Sequence, residues 1–532
     1  MDSAASLPLT ERSTSSPSAA APPTQFNFAS YLLGLNAGRS QKIAYRDDHA
    51  TLRFGELDER VRRFAAALAS LDLRREERVL LLMHDTIDWP VVFLGCLYAG
   101  VVPVAVNTLL TPAEYAYMLA HSRAQAAFVS SALMSVLAQA MSAAPHEVKR
   151  VVEPTELASL IAEHAPSPLA VPTGADDIGF WLYSSGSTGK PKGTVHTHAN
   201  LYWTAELYAK PILGIREDDV VFSAAKLFFA YGLGNALTFP LSVGASVVLM
   251  GGRPTPQEVF ARLTGGSNEQ RPTIFFGVPT LYAALLAAPD LPARSQVDLR
   301  VAVSAGEALP KDIGERFSAH FGCDVLDGIG STEMLHIFLS NRPGHVRYGT
   351  TGTPVPGYDV ELRDEHGAIV GDDSIGDLYV KGPSAALMYW GNREKSCATF
   401  VGGWTKSGDK YVRSADGYFT YAGRGDDMLR VSGQYVSPFE VETALMQHPS
   451  VLEAAVIGKT DIDGLTRTKA FVVLKGTDSA SPNLEIELKS FVKGKLAPHK
   501  YPRFLEFVAE LPKTATGKIQ RFKLREKEAS VG

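Results

Sequence analysis

Between residues 26 and 355, short apolar segments alternate with longer segments that have helical spacing. The short segments have the length and residue content of buried strands. Alternation of strands and helices predicts a mainly parallel sheet with helices on its faces, that is, an α/β fold. In such a sheet, ligands bind at the loops that follow the carboxyl ends of the strands. The predicted strands are Arg78–Leu82, Ala127–Val129, Gly179–Tyr183, Val220–Ala224, Ala245–Met250, Thr273–Gly277, Arg300–Ser304 and Asp324–Asp327.

Helix boundaries and a change of pattern near residue 357 predict the domain organisation. Clear helices are expected over Phe54–Leu71, Asn200–Lys210 and Pro310–His320, with Pro310 in a first turn. Beyond residue 357, Tyr358–Arg363 and Gly376–Gly382 have the pattern of hairpin-like strands. We expect a large N-terminal domain over residues 26–425, which includes a β-rich subdomain over about 357–425, and an α+β C-terminal domain over residues 426–532.

Several features exclude whole classes of protein. The first 25 residues are rich in Ser, Ala and Pro and lack the apolar core of a signal peptide, so a disordered tail is expected. The longest apolar run, Val91–Val106, is interrupted by Pro103 and predicts a buried helix followed by a buried strand, not a membrane span. Cys96, Cys323 and Cys397 are too scattered for a disulfide framework, which indicates packing thiols in a reducing cytoplasm.

Charge is distributed unevenly along the chain. With 52 basic and 57 acidic residues, the chain is too close to neutral to indicate a nucleic-acid-binding protein. Residues 424–532 contain 17 basic and 14 acidic residues, whereas the rest of the chain contains 35 and 43. A basic small domain could close over phosphates that a larger domain holds. A solvated charged face is the alternative.

A polar, glycine-rich loop follows the predicted strand Gly179–Tyr183. Its glycines let backbone N–H groups approach an anion closely, its hydroxyls add donors, and Lys192 adds a positive charge. It is not a Walker A loop, because Ser184 occupies the first-glycine position and a second strand follows in place of a helix. We predict a polyphosphate-binding loop, with a flexible surface loop as the alternative.

Two histidines follow this loop. His196 and His198 alternate on the predicted second strand, which would place them on one face. Since no third ligand is near in the sequence, hydrogen-bonded histidines are expected rather than a metal site.

An ordered set of motifs makes the chain similar to the adenylate-forming superfamily of acyl- and aryl-CoA ligases, peptide-synthetase adenylation domains and luciferases. The resemblance spans about residues 30–530. Within the superfamily the chain most resembles benzoate–CoA ligases, through Leu227–Leu233 and Gly330–Ile337. The superfamily motifs are the loop Tyr183–Gly193, Ser304–Glu307, Asp327–Glu333, Gly376–Leu378, Trp404–Asp409, Gly423–Asp427 and Pro512–Lys518.

The resemblance implies two half-reactions. A carboxylate first attacks the α-phosphorus of ATP, which gives acyl-AMP and pyrophosphate, and the thiol of coenzyme A then displaces AMP. Lys518 matches the family's catalytic lysine, whose ammonium would bridge the attacking carboxylate and the α-phosphate. Thr332 would contact the phosphates, and Glu333 would hold Mg²⁺. The alternatives are a solvated lysine and a carboxylate at a helix start.

The resemblance also assigns nucleotide and domain-motion residues. Asp409 would accept both ribose hydroxyls, Arg424 would contact the ribose, and Asp327 would accept the adenine amino group. Asp426 matches the hinge about which a mobile C-terminal lid domain rotates, opening a CoA tunnel near Gly433. The implied ATP-binding set is Ser184, Ser185, Gly186, Ser187, Thr188, Gly189, Lys192, Gly306, Glu307, Asp327, Asp409 and Arg424.

An acyl pocket with small and aromatic walls is implied as well. A benzene ring fits a flat, apolar slot, and Phe229 matches the family's aromatic gate between the acyl and pantetheine channels. Tyr231 or His336 could bind a 4-hydroxyl group, whereas simple core packing is the alternative for the aromatic residues. The implied lining is Phe229, Ala230, Tyr231, Ala305, Gly328, Gly330, His336 and Ile337.

Benzoate ranks first as the substrate, with ATP and coenzyme A as co-substrates, Mg²⁺ as the metal cofactor, and no nucleic acid or membrane partner. The alternatives are a 4-hydroxybenzoate–CoA ligase, an aryl adenylation enzyme that loads a carrier-protein thiol, an oxidative enzyme of the luciferase type, and a nucleotide-binding regulator without catalysis. The presence of Lys518 and Glu333 disfavours the regulator. A homodimer, and acetylation of Lys518 by a lysine acetyltransferase with reversal by a deacetylase, are further hypotheses.

Overall fold

The computed structural model describes residues 19–184, 190–266, 270–425, 427–431, 434–461, 465–476, 480–497, 499–513 and 519–531. Residues 185–189, Asp426, Gly433 and Lys518, which carry several of the predictions above, lie outside these ranges. Across the described ranges, no helix combines the length and the apolar character needed to span a membrane.

Two large sheets, rather than one, form the N-terminal part. In the described residues the first sheet has seven strands. The last five strands in the order below run parallel to one another. The first two strands in the order are joined to that edge by antiparallel pairing. The order is Met388–Tyr389, Lys192–Thr197, Ile178–Ser184, Val102–Ala105, Arg78–Leu82, Ala126–Val129 and Arg150–Val152.

The second sheet has nine strands in the described residues, and its six inner strands run parallel. One hydrophobic core joins the two sheets, because it contains Val79 of the first, Val247 of the second and Phe93 of the helix Asp88–Tyr98. The order is Thr353–Pro354, Ile337–Ser340, Asp324–Gly330, Val301–Ser304, Ile274–Gly277, Val220–Ser223, Ser246–Val248, Ile43–Arg46 and Thr51–Arg53.

The α-helices of the N-terminal part mostly agree with the predicted pattern, with two differences. The predicted helix Asn200–Lys210 is α-helical over His198–Thr204 and continues as a π-helix over Ala205–Leu213, which contains Pro211 and so a backbone nitrogen without a hydrogen. Pro310 lies just before the helix Lys311–Phe321, in extended backbone, rather than in its first turn. The others are Phe28–Leu35, Phe54–Ser70, Asp88–Tyr98, Pro112–Ser122, Met134–Ala143, Pro154–Glu163, Ala230–Leu233, Phe239–Val243, Pro256–Thr264, Pro279–Ala287 and Arg393–Thr399.

Short helical segments complete the connections of the N-terminal part. A second π-helix, Gly234–Thr238, joins Ala230–Leu233 to Phe239–Val243. Single 3₁₀ turns occur at Ala37–Arg39, Ser131–Leu133 and Arg294–Gln296.

The β-rich unit is an antiparallel sheet, as predicted. Asp359–Arg363 and Ile375–Lys381 form the expected hairpin, and Ile375–Lys381 also pairs with Trp404–Arg413. Trp404–Arg413 pairs in turn with Phe400–Val401 near its start and with Phe419–Arg424 over its second half.

The C-terminal part is α+β, which confirms the predicted fold class. It has the hairpin Leu429–Val431 and Gln434–Val436 and the three-stranded sheet Val451–Thr460, Thr466–Leu474 and Phe504–Phe507. Its helices are Pro438–Met446, Pro482–Lys493 and Arg521–Val531. The exact domain boundary at Asp426 stays a prediction.

Candidate active site

Three of the predicted residues meet around the carboxylate of Glu333. The Ser184 hydroxyl donates to Glu333 Oε1 at 3.3 Å, and the Lys192 ammonium lies 3.6 Å from the same oxygen. Ser184 and Lys192 face each other across the hairpin that carries the glycine-rich loop. The hairpin therefore brings both ends of the predicted phosphate loop to Glu333.

Tyr389 completes this cluster and was not identified from the sequence. Its hydroxyl donates to Glu333 Oε1 at 2.7 Å and accepts from Lys192 Nζ at 3.1 Å, and the ammonium lies 4.4 Å from the ring centroid. The contact arises because Met388–Tyr389 pairs with Thr194 and Val195 at the edge of the seven-stranded sheet. No local motif signals a pairing between segments so far apart in the chain.

The electrostatics keep the Glu333 carboxylate ionised. Burial alone would raise the pKa of Glu333, but the Lys192 charge and the hydrogen bonds from Tyr389 and Ser184 hold it below its ordinary value. Burial lowers the pKa of Lys192, and Glu333 opposes that effect. Burial and the neighbouring carboxylate raise the pKa of Tyr389, so its hydroxyl remains a proton donor.

The Glu333 carboxylate and the Ser184 hydroxyl fit a magnesium ion that arrives with a nucleotide. Within the described ranges, no group of three or more His, Cys, Asp or Glu side chains is arranged to hold a metal. Mg²⁺ is commonly bound by one or two carboxylates together with substrate phosphates, rather than by an all-protein cage. The ionised Glu333, beside the Ser184 hydroxyl, meets that requirement.

His196 connects the predicted phosphate-contacting residue Thr332 to the first sheet. Its Nε2–H donates to the Thr332 carbonyl at 2.8 Å, its Nδ1 lies 3.0 Å from Asn200 Oδ1, and burial lowers its pKa to about 4. The prediction that His196 and His198 share a strand face is wrong. The Thr197 hydroxyl caps a helix that begins at His198, which turns the chain out of the strand.

Asp409 and Arg424 lie on neighbouring strands of the β-rich sheet. They are register partners, and Arg424 Nη1 lies 3.2 Å from Asp409 Oδ1. The carboxylate and the guanidinium that were predicted to face the ribose are therefore adjacent in space.

Asp327 is buried in the middle of the inner strand Asp324–Gly330, with 6% of the residue exposed, at the point where the pairing with Val301–Ser304 ends. Burial raises its pKa, an effect that the Leu309 N–H and the Thr351 hydroxyl oppose. Its Oδ1 has no hydrogen-bond partner in the described part of the protein. Gly306, on the loop after the neighbouring strand, has a φ of +91°, which favours glycine there, and Glu307 is half-buried beside it.

Tyr231 and His336, two predicted pocket residues, contact each other, and His336 also contacts Asn235, which was not identified from the sequence. His336 Nε2 lies 3.1 Å from Asn235 Oδ1 and 3.3 Å from the Tyr231 carbonyl, so this nitrogen carries the hydrogen. Burial lowers the pKa of His336 to about 3, and the ring is neutral. The Tyr231 hydroxyl donates to the Val303 carbonyl at 3.0 Å.

Small residues allow the predicted pocket floor to pack closely. A Cβ atom on Gly328 would lie 3.0 Å from Ile337 Cγ2, and one on Gly330 would lie 2.4 Å from the His336 carbonyl oxygen. Ile337 and Ala305 are buried, whereas Phe229 and Ala230 are only half-buried. Phe228, next to the predicted gate, packs in the core.

Comparison with known proteins agrees with these motifs. Residues 36–390 match the family model described as AMP-binding enzyme, and residues 440–518 match that of the AMP-binding enzyme C-terminal domain. The chain therefore belongs to the AMP-binding enzymes, the adenylate-forming superfamily.

Individual relatives are similar along almost their whole length. The benzoate–CoA ligase of Thauera aromatica is 56% identical over 94% of this chain and 96% of that protein. The 4-hydroxybenzoate–CoA/benzoate–CoA ligase of Rhodopseudomonas palustris is 48% identical over 92% of this chain and 91% of that protein. A benzoate CoA ligase structure from Burkholderia xenovorans LB400 is 63% identical, covers 94% of this chain and 100% of that chain, and superposes with a TM-score of 0.89.

Proposed function

We propose that the protein is an AMP-forming acid–thiol ligase that joins benzoate to coenzyme A through benzoyl-AMP. The observation that carries this proposal is the 56% identity with a benzoate–CoA ligase over 94% of the chain. The described residues supply the two features that the reaction needs. These are the charged cluster around Glu333 and a pocket floor in which glycines pack against Ile337 and His336.

The first half-reaction brings a carboxylate to a polyphosphate, so positive charge and positioning have to lower its barrier. Lys192 and Lys518 supply that charge, while Ser184, Thr332 and residues 185–189 bind the phosphates. Asp409 and Arg424 hold the ribose, and Asp327 accepts the adenine amino group with its unpartnered oxygen. Mg²⁺, when bound at Glu333, offsets negative charge on the phosphates.

The second half-reaction needs the lysine withdrawn and the thiol admitted. By their motifs, Asp426 is assigned as the hinge of the C-terminal domain and Gly433 as a residue of the pantetheine path. Phe229 separates that path from the acyl pocket. Both the hinge and the glycine are assigned by their motifs alone.

A second candidate substrate, 4-hydroxybenzoate, is favoured by one observation. His336 Nδ1 is buried and has no hydrogen-bond partner among the described residues, while Nε2 carries the hydrogen. An acceptor of this kind could accept a hydrogen bond from a ring hydroxyl. A site that relied on such a bond would reject benzoate strongly, whereas a merely apolar pocket would discriminate weakly.

A panel of aromatic and aliphatic acids, assayed with ATP and coenzyme A for AMP formation, tests the function. We expect benzoate to give the highest kcat/KM. A clear preference for 4-hydroxybenzoate would establish the second candidate, and AMP release that ignores coenzyme A would establish a carrier-protein loading enzyme. Oxygen-dependent turnover would indicate the luciferase type.

We also propose a cytoplasmic location and control by acetylation of Lys518. Acetylation would remove the charge that adenylation needs. Mass spectrometry with activity measurements before and after deacetylation tests this control. A homodimer remains a hypothesis for a sedimentation experiment.

A further inference from the structure

The described residues on either side of residues 514–518, which include Lys518, are held close to each other. Lys513 pairs with Ile519 in an antiparallel bridge, and the Gln520 N–H donates to the Pro512 carbonyl at 2.8 Å. Ile519 packs against a small core of the C-terminal part that includes Leu511 and Leu524. Lys513 and Ile519, which flank residues 514–518, are therefore held together, and Ile519 is anchored to the three-stranded sheet.

Arg521, three residues after Lys518, is held by a buried carboxylate. Its Nε and Nη2 donate to the two oxygens of Glu442 at 3.0 and 2.6 Å. Glu442 lies on the helix Pro438–Met446 with only 3% of the residue exposed, and its Oε1 also accepts from the Val456 N–H at 2.7 Å. A bidentate, charge-assisted pair of this kind fixes the orientation of the guanidinium as well as its position.

The same guanidinium faces the segment next to the predicted hinge. Arg521 Nη1 lies 3.6 Å from Asp427 Oδ2, and Arg525 on the same helix donates to Asp427 Oδ1 at 2.7 Å. Arg521 thus links three elements: the base of the lysine loop, the helix Pro438–Met446 and the residue that follows Asp426.

We propose that Arg521 is a positioning residue for Lys518 in the adenylation half-reaction. This inference rests on the proposed role of Lys518. When the C-terminal domain rotates about Asp426, the contacts of Arg521 with Asp427 and Glu442 keep the start of the helix Arg521–Val531, three residues after Lys518, fixed relative to Asp427 and to the helix Pro438–Met446. A misplacement of about 1 Å at a reacting centre can cost on the order of 100-fold in rate, so a loosely held loop would slow adenylation specifically.

The test is Arg521→Lys, which keeps the charge and loses the planar two-pronged donor. We expect benzoate-dependent ATP–pyrophosphate exchange to fall by about 10- to 100-fold in kcat, with little change in the KM for ATP. Thioester formation from supplied benzoyl-AMP and coenzyme A should stay within about 2-fold of the unsubstituted enzyme, because that step does not use Lys518.

Lys500→Gln is the matched control. It breaks the pair between Lys500 and Glu440, which lies on the same helix as Glu442 but has no part in the lysine loop. Both half-reactions of this variant should be unchanged. If Arg521→Lys lowers the unfolding temperature, the double variant Glu442→Gln/Arg521→Gln removes both buried charges together and should still show the selective loss of adenylation.

Lys518→Gln separates this inference from the role on which it rests. If Lys518→Gln keeps the exchange rate, the proposed role of Lys518 is wrong and the inference falls with it. If Lys518→Gln abolishes exchange while Arg521→Lys retains it, only the role of Arg521 is wrong. An equal loss of both half-reactions in Arg521→Lys and in the double variant would identify a purely structural ion pair and overturn the inference.

Discussion

The hydroxyl of Tyr389 donates a 2.7 Å hydrogen bond to the carboxylate of Glu333, 56 residues earlier in the chain. The Tyr389 hydroxyl oxygen also accepts a hydrogen bond from Lys192. One tyrosine thus bridges the acid that is proposed to hold Mg²⁺ and the lysine of the phosphate loop. Without this bridge, the side chains of Glu333 and Lys192 would have to be ordered when ATP binds. The bridge therefore pre-organises the site.

Tyr389→Phe is expected to slow adenylation while leaving the fold intact. The ring that faces Lys192 remains, but the bond to an ionised carboxylate, worth about 1.5–3 kcal/mol, is lost. ATP–pyrophosphate exchange should fall by roughly 10-fold or more. Tyr45→Phe, which removes a buried tyrosine hydroxyl bonded to the Ala236 carbonyl elsewhere in the fold, is the control and should exchange normally. An unchanged rate in Tyr389→Phe would remove this tyrosine from the site.

Lys518→Ala is expected to abolish adenylation and to spare thioester formation. The first step needs a cation between two anions, whereas the thiol attacks an acyl group that is already activated. Single-turnover assays from benzoate with ATP, and separately from benzoyl-AMP with coenzyme A, measure the two steps. Equal losses in both steps would contradict the assigned role.

Ile337→Ala should enlarge the pocket floor and shift the preference towards para-substituted benzoates. The side chain is buried and in contact range of Gly328, so its removal opens space at that end. The cavity should cost about 2–5 kcal/mol in the free energy of unfolding. Ile274→Ala, in the same core on another strand, should cost a similar amount without changing acid preference. A flat response across a para-substituent series would place Ile337 outside the pocket.

The burial of Asp85 predicts that the free energy of unfolding depends on pH. The buried carboxyl accepts a hydrogen bond from the Leu227 N–H at 3.2 Å, at the start of the segment Leu227–Leu233 that carries three of the predicted pocket residues. Burial raises its pKa to about 6, although Lys226 and the Leu227 N–H oppose that effect.

The sign follows from proton binding. Between about pH 4 and 6 the folded carboxyl keeps its proton, whereas the unfolded one, with a pKa near 3.9, has lost it. This group therefore destabilises the fold progressively as the pH rises through that window. In urea titrations from pH 4 to 7, Asp85→Asn should lack this fall, which amounts to about 2–3 kcal/mol. Parallel curves for the two proteins would show that Asp85 does not titrate there.

Much of the local structure was predictable because periodicity and turn chemistry act over a few residues. Arg78–Leu82 was predicted with its exact bounds, and the hairpin of the β-rich unit to within a residue or so. Where neighbouring signals compete, local reasoning failed. The Thr197 cap ended a strand that alternation alone would have continued through His198.

The sequence by itself determined the α/β class, the order of the motifs and the identity of the ATP-binding residues to propose. Only the tertiary structure decided that the strands divide into two sheets, that Tyr389 reaches Glu333, that Asn235 orients His336, and that Arg521 pairs with Glu442 79 residues away. The physical reason is that such partners are chosen by the burial of whole faces and by strand register, which depend on contacts between distant segments and leave no periodic trace along the chain.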